Sequence, residues 1–121
     1  MKLLIVDDNE EFVELIIHMI NSSNNYDLHA DISYTGKEAI YLATHQHYDF
    51  ILLDIYLPDI NGIEVCKIIS LQNRFINIIV MSFTDNILII KQALEAGAKN
   101  FIFKKELNLE KLKEIMSKNY F

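Results

Sequence analysis

The feature that most constrains this chain is an alternation. Short apolar runs rich in branched residues, each closed by a polar residue, take turns with segments whose apolar positions recur at helical spacing. The run 3–6 ends at Asp7 and Asp8, the run 49–53 at Asp54, the run 77–81 at Ser82, and the run 99–103 at Lys104 and Lys105. Three of these runs are apolar throughout, the pattern of strands covered on both faces. The segment 26–33 differs: Leu28, Ala30 and Ile32 alternate with polar neighbours, which predicts an edge-like strand.

Between the runs lie five predicted helices. Asn9 caps the first, Glu10 and Glu11 suit its first turn, and Phe12, Leu15, Ile16, Met19 and Ile20 form its apolar face. Thr35 or Gly36 opens a second over 38–44, apolar at Ala39, Ile40, Leu42 and Ala43. A third spans 62–72 with Ile63, Val65, Cys66, Ile68 and Ile69, and a fourth spans 85–96, closed by Gly97. The last spans 107–117 with Leu109, Leu112, Ile115 and Met116, while 21–25 and 56–61 read as loops. Strands alternating with helices imply a parallel sheet with right-handed crossovers. The expected fold is α/β, a single doubly wound (βα)5 sandwich of the flavodoxin-like kind, with strand order 2-1-3-4-5.

Composition narrows the function classes. With 121 residues, 51% apolar, the chain is expected to form one domain over 1–121, leaving no residues for a second folded unit. A formal charge of −6 argues against gripping nucleic acid, which needs a basic face. A single cysteine, Cys66, allows no internal disulfide and points to a reducing compartment, so a cytoplasmic location is expected. The opening apolar run meets Asp7 and Asp8 too soon for a signal peptide or a membrane span.

In open α/β sheets, ligands bind outside the carboxyl ends of the strands. The residues expected at those ends are Asp7, Asp8, Asp54, Ser82 and Lys104. Any one of them is more often a cap or turn residue than a chemical group. Five complementary polar residues at one edge are harder to explain that way. Three carboxylates together repel one another unless a cation joins them, and oxygen-only ligands suit Mg²⁺ or Mn²⁺. Carboxylates, a divalent ion, a lysine and a hydroxyl make a site for a phosphoryl group. By contrast, His18, His29, His45 and His47 lack the company of a zinc site, Cys66 reads as a small core hydrophobe, and Lys111, Lys113 and Lys118 as a solvated face.

At these residues the chain resembles the receiver domain of two-component response regulators, chemotaxis-regulator-like, over its whole length. The resemblance is carried by Ile5-Val6-Asp7-Asp8, by residues 49–62 (Asp-Phe-Ile-Leu-Leu-Asp-Ile-Tyr-Leu-Pro-Asp-Ile-Asn-Gly), by Ile79-Val80-Met81-Ser82 and by residues 97–104, which end at Lys104. It implies that Asp54 is the phosphoacceptor, taking a phosphoryl group from a sensor histidine kinase or phosphotransfer protein. It implies Mg²⁺ held by Asp8, by Asp7 through water, by Asp54 and by the backbone carbonyl of Tyr56. Ser82 would bond the acyl phosphate and Lys104 would pair with it, while Phe101 would be the switch aromatic. The module would catalyse only its own phosphorylation and dephosphorylation. The fourth helix, fifth strand and fifth helix would signal to an output or form a homodimer.

Three positions depart from that pattern. Lys105 stands where Pro usually follows the lysine. Phe83 stands where a small residue usually follows the hydroxyl, and its ring is expected to slow access. Ile87-Leu88-Ile89-Ile90 cannot all face the sheet, so at least one is expected to be exposed. Two other readings stand beside the switch: a pseudo-receiver that binds partners without phosphorylation, and a Mg²⁺-dependent phosphatase of the haloacid dehalogenase type. The latter wants Asp-x-Asp, whereas Tyr56 stands two residues after Asp54.

Overall fold

The computed structural model describes residues 1–23 and 28–120; residues 24–27 and 121, and the side chains of 117–120, lie outside the description. Along the chain come β1 (Lys2–Val6), α1 (Glu10–Ser22), β2 (His29–Ser33), α2 (Gly36–His45), β3 (Phe50–Asp54), α3 (Gly62–Gln72), β4 (Asn77–Ser82), α4 (Ile87–Glu95), β5 (Asn100–Phe103), a 3-10 turn (Lys104–Glu106) and α5 (Leu109–Tyr120). The strands form one parallel sheet in the order β2-β1-β3-β4-β5, as the alternation predicts.

Because strand side chains alternate between faces, the sheet feeds two cores. Leu4, Val6, Ile51, Leu53, Ile78 and Val80 pack on one side with Val65, Cys66 and Ile69 of α3 and Ala93 of α4. Leu3, Ile5, Leu52, Ile79 and Met81 pack on the other with Phe12 and Ile16 of α1 and Leu112 and Ile115 of α5. Each helix starts on a side-chain cap. Asn9, Thr35, Asn61, Asn86 and Asn108 accept the backbone N–H groups of Phe12, Glu38, Ile63, Leu88 and Lys111 at 2.8–3.2 Å.

The boundaries refine the sequence expectations. α4 starts two residues later than expected, because the Asn86 carboxamide takes the capping position. Asp54 is the last residue of β3 rather than the first beyond it, and Ser82 likewise closes β4. On α1, Val13 is buried in place of Leu15, which is 45% exposed. The expected strand 26–33 begins at His29; its residues 26 and 27 fall outside the described residues, as does part of the 21–25 loop. Gly97 ends α4 with φ of +117°, and a Cβ there would lie 2.5 Å from the Ser70 Cβ, so only glycine fits.

Candidate functional site

Four strand ends converge at the carboxyl edge of the sheet. Asp7 follows β1 directly; its N–H donates to the Ser33 carbonyl (3.1 Å) and its Oδ1 accepts the Asn9 N–H (2.9 Å). The residue that caps α1 therefore also fixes the Asp7 carboxylate. Asp54 pairs with Met81 in the ladder, and Ser82 pairs with Phe103, the residue before Lys104. Asp7, Asp54, Ser82 and Lys104 are all buried, whereas Asp8 is exposed.

Carboxylate oxygens of Asp7, Asp8 and Asp54 lie within 4.8 Å of one another, the one such grouping of potential metal ligands among the described residues. The Lys104 Nζ stands 2.7 Å from Asp7 Oδ2 and 3.4 Å from Asp54 Oδ1. One buried cation thus faces two buried carboxylates with a third beside them. The electrostatics record that shortfall. Burial pushes the Asp54 carboxyl from 3.8 up to about 6, and the neighbouring Asp7 adds to the rise; the Lys104 charge and hydrogen bond, and then the Tyr56 N–H, oppose it. Asp7 Oδ2 meets Lys104 as an ion pair but has no hydrogen bond directed at it. Three converging carboxylates offset by a single buried lysine fit a hard, oxygen-seeking divalent cation.

The loop from Asp54 to α3 is shaped by a close approach. Gly62 donates to the Ile55 carbonyl at 2.6 Å, and a Cβ at Gly62 would sit 2.1 Å from the Asp54 carbonyl oxygen. Tyr56, whose side chain is exposed, ties its N–H to the Asp54 carboxylate. Farther along, the Asp59 carboxylate accepts the N–H groups of Gly36 (2.7 Å) and Lys37 (2.9 Å), pinning this loop to the start of α2. Slight burial works against ionisation of Asp59, but these donors outweigh it and hold its carboxyl below the ordinary value. This anchor was not foreseen from the sequence; the Pro58-Asp59 pair in a predicted loop was its only signal.

Beyond β4, the Ser82 Oγ accepts the Thr84 N–H at 3.2 Å. Phe83 is 55% exposed, and its ring packs edge to face on Phe12, with centroids 6.3 Å apart. The Lys104 Nζ lies 4.5 Å from the Phe12 centroid and 5.3 Å from that of Phe83. Sequence reasoning placed Phe83 beside the site but gave Phe12 to the core alone. Phe101, on β5, is half-buried against the core on the α4 side and meets Phe103 edge to face. The expected exposure on α4 is found: Ile87 and Leu88 face solvent while Ile89 packs on the core. The four histidines are exposed and stand apart from the acidic grouping. Cys66 is buried, which pushes its thiol up to about 11. Among the described residues, no helix is long and apolar enough to cross a membrane.

Comparison with known proteins converges on one family. Residues 3–117 match the family model described as the response regulator receiver domain. The chain is 38% identical over 106 residues to the response regulator ArlR of Staphylococcus saprophyticus, covering 85% of this chain and 45% of that protein. It is 34% identical over 103 residues to the alkaline phosphatase synthesis transcriptional regulatory protein PhoP of Bacillus subtilis, covering 85% and 42%. The chain therefore spans less than half the length of these relatives. Among solved structures, a CheY-like receiver domain protein from Methanospirillum hungatei superposes with a TM-score of 0.85 at 23% identity, covering 98% of this chain and 95% of that one. A two-component response regulator from Clostridium difficile gives 0.83 at 28% identity, covering 96% and 95%.

Proposed function

This chain belongs to the response regulator receiver domain family, and from that premise we propose that it is a phospho-acceptor switch, one receiver domain over residues 1–121, with Asp54 as the acceptor. Receiver domains of response regulators are signalling modules rather than classical enzymes. The observation that carries the reading is the Lys104 ammonium lodged between the Asp7 and Asp54 carboxylates at a sheet edge built for a ligand.

A carboxylate oxygen of Asp54 attacks the phosphorus of a phosphohistidine on a sensor histidine kinase or phosphotransfer protein. The P–N bond breaks, the imidazole leaves, and an aspartyl phosphate forms. Asp7, Asp8, Asp54 and the backbone carbonyl of Tyr56 would hold Mg²⁺ (or Mn²⁺), which supplies charge neutralisation for the phosphoryl oxygens. Lys104 shifts its ion pair from Asp54 to those oxygens, and the Ser82 hydroxyl donates to another. This local change of charge biases the loop after β4 and the Phe101 ring, and so alters the face made by α4, β5 and α5. That face controls an output or a homodimer; the domain itself binds neither nucleic acid nor membrane and works in the cytoplasm.

The test is direct. With Mg²⁺ and acetyl phosphate, the intact mass should rise by one phosphoryl group, and Asp54→Asn should abolish the gain. No gain across several small donors would favour the pseudo-receiver, to which Phe83 and Lys105 give some support. Steady turnover of an unrelated phosphoester would favour the phosphatase.

A further inference from the structure

The Lys104 ammonium meets more than its two carboxylates. Phe12, in the first turn of α1, and Phe83, just beyond β4, both present rings to it, at 4.5 Å and 5.3 Å from centroid to Nζ. The rings brace each other edge to face at an interplanar angle of 66°. The Lys104 side chain is only 4% exposed, yet Phe83 is 55% exposed. A half-exposed phenyl ring gains little from burial. Its place is better accounted for by attraction between a ring face and a cation, which strengthens as the cation is desolvated. The loop that carries it is tethered by short turns, with the Thr84 N–H on Ser82 Oγ and the Asn86 N–H on Thr84 Oγ1.

We propose that Phe12 and Phe83 form an aromatic clamp that positions the Lys104 ammonium over Asp7 and Asp54 and shuts the solvent side of the pocket. Both are positioning residues that act on Lys104, and Phe83 is in addition a steric screen. The consequence for phosphoryl transfer rests on the function proposed above: incoming phosphoryl oxygens draw the ammonium away from the rings, and Phe83 screens both a small donor and the hydrolytic water. Phosphorylation by small donors and loss of the phosphoryl group are therefore slowed together.

The experiment labels lysines on the full chain by reductive methylation with formaldehyde and a borohydride, and follows Lys104 against the exposed Lys67 by peptide mass. Lys104 should react about tenfold or more slowly than Lys67 in the parent protein. Phe83→Ala should speed Lys104 by about two- to tenfold, the range expected for one ring–cation contact, and leave Lys67 unchanged. Phe83→Tyr, which keeps the ring face, should label like the parent; Phe83→Leu, which keeps bulk alone, should not. Phe12→Leu, the second variant, should likewise speed Lys104 labelling and leave Lys67 unchanged. Unchanged Lys104 labelling in Phe83→Ala overturns the clamp, and so does a Leu variant that protects as well as Tyr. With acetyl phosphate and Mg²⁺, Phe83→Ala should also raise the rates of mass gain and mass loss together. If no variant gains mass while labelling responds as stated, the clamp stands and the phospho-acceptor reading fails. If mass is gained but labelling does not respond, the clamp alone fails.

Discussion

Replacing Asp54 by Asn should stabilise the metal-free protein at neutral pH. The Asp54 carboxyl titrates near 6 in the folded chain against an ordinary 3.8, because it is buried beside Asp7 and only partly offset by Lys104. The folded state thus binds this proton more tightly than the unfolded state does. Below about pH 4 both states are protonated and the burial is harmless. Stability is lost as pH rises from there through about 6, and it stays lost above. At about 1.4 kcal/mol per tenfold change in proton affinity, the buried charge costs on the order of 3 kcal/mol at neutral pH. The amide still accepts the Tyr56 N–H, but Lys104 is left with Asp7 alone, so roughly 1–2 kcal/mol should be recovered. Urea unfolding followed by far-ultraviolet circular dichroism, in EDTA, reads this as a midpoint increase of roughly 0.5–1 M at about pH 7.5. At about pH 3.5 the midpoints should coincide. Added Mg²⁺ should stabilise the parent, by about 2.7 kcal/mol at a hundredfold excess over its Kd, and the variant less. A variant that unfolds at equal or lower urea at neutral pH would refute the reasoning, since Lys104 would then fully compensate the Asp54 charge.

Two further perturbations probe the loop that follows Asp54. Gly62→Ala drives a Cβ to 2.1 Å from the Asp54 carbonyl oxygen, so it should cost roughly 3 kcal/mol or more in urea unfolding and abolish the mass gain with acetyl phosphate. Asp59→Ala removes the acceptor of two α2 amides; hydrogen exchange at Gly36 and Lys37 should quicken about tenfold while the α5 amides do not change.

Strand order and the acidic edge were legible in the sequence because both rest on strong, local signals. A run such as Ile51-Leu52-Leu53 closed by Asp54 specifies a strand covered on both faces and a polar exit, whatever its neighbours do. Helix faces were less legible. On α1, Leu15 and Val13 compete for the sheet-facing stripe, and Ile16 and Ile20 fit either choice. Packing against Leu3 and Ile5 selects Val13, and a helical pattern alone does not carry that information. Nor does local pattern report contacts between residues far apart in the chain. Asp59 on α2, and Phe12 and Phe83 on Lys104, join segments that only the assembled sheet brings together.

That assembly has a kinetic corollary. Asp7, Asp54, Ser82 and Lys104 come from four different strand ends, and the ladder between β4 and β5 sets Ser82 beside Phe103, the residue before Lys104. No single hairpin or helix pair contains even a rudimentary site. A parallel sheet wins its pairings late, after long loops have closed. During synthesis the acidic half of the constellation emerges first, and its counter-charge arrives only with β5. Until then Asp7 and Asp54 have no lysine to share, so a truncated or half-folded chain carries the repulsion without the relief. The acidic edge and its counter-charge are therefore brought together only when β5 joins the sheet.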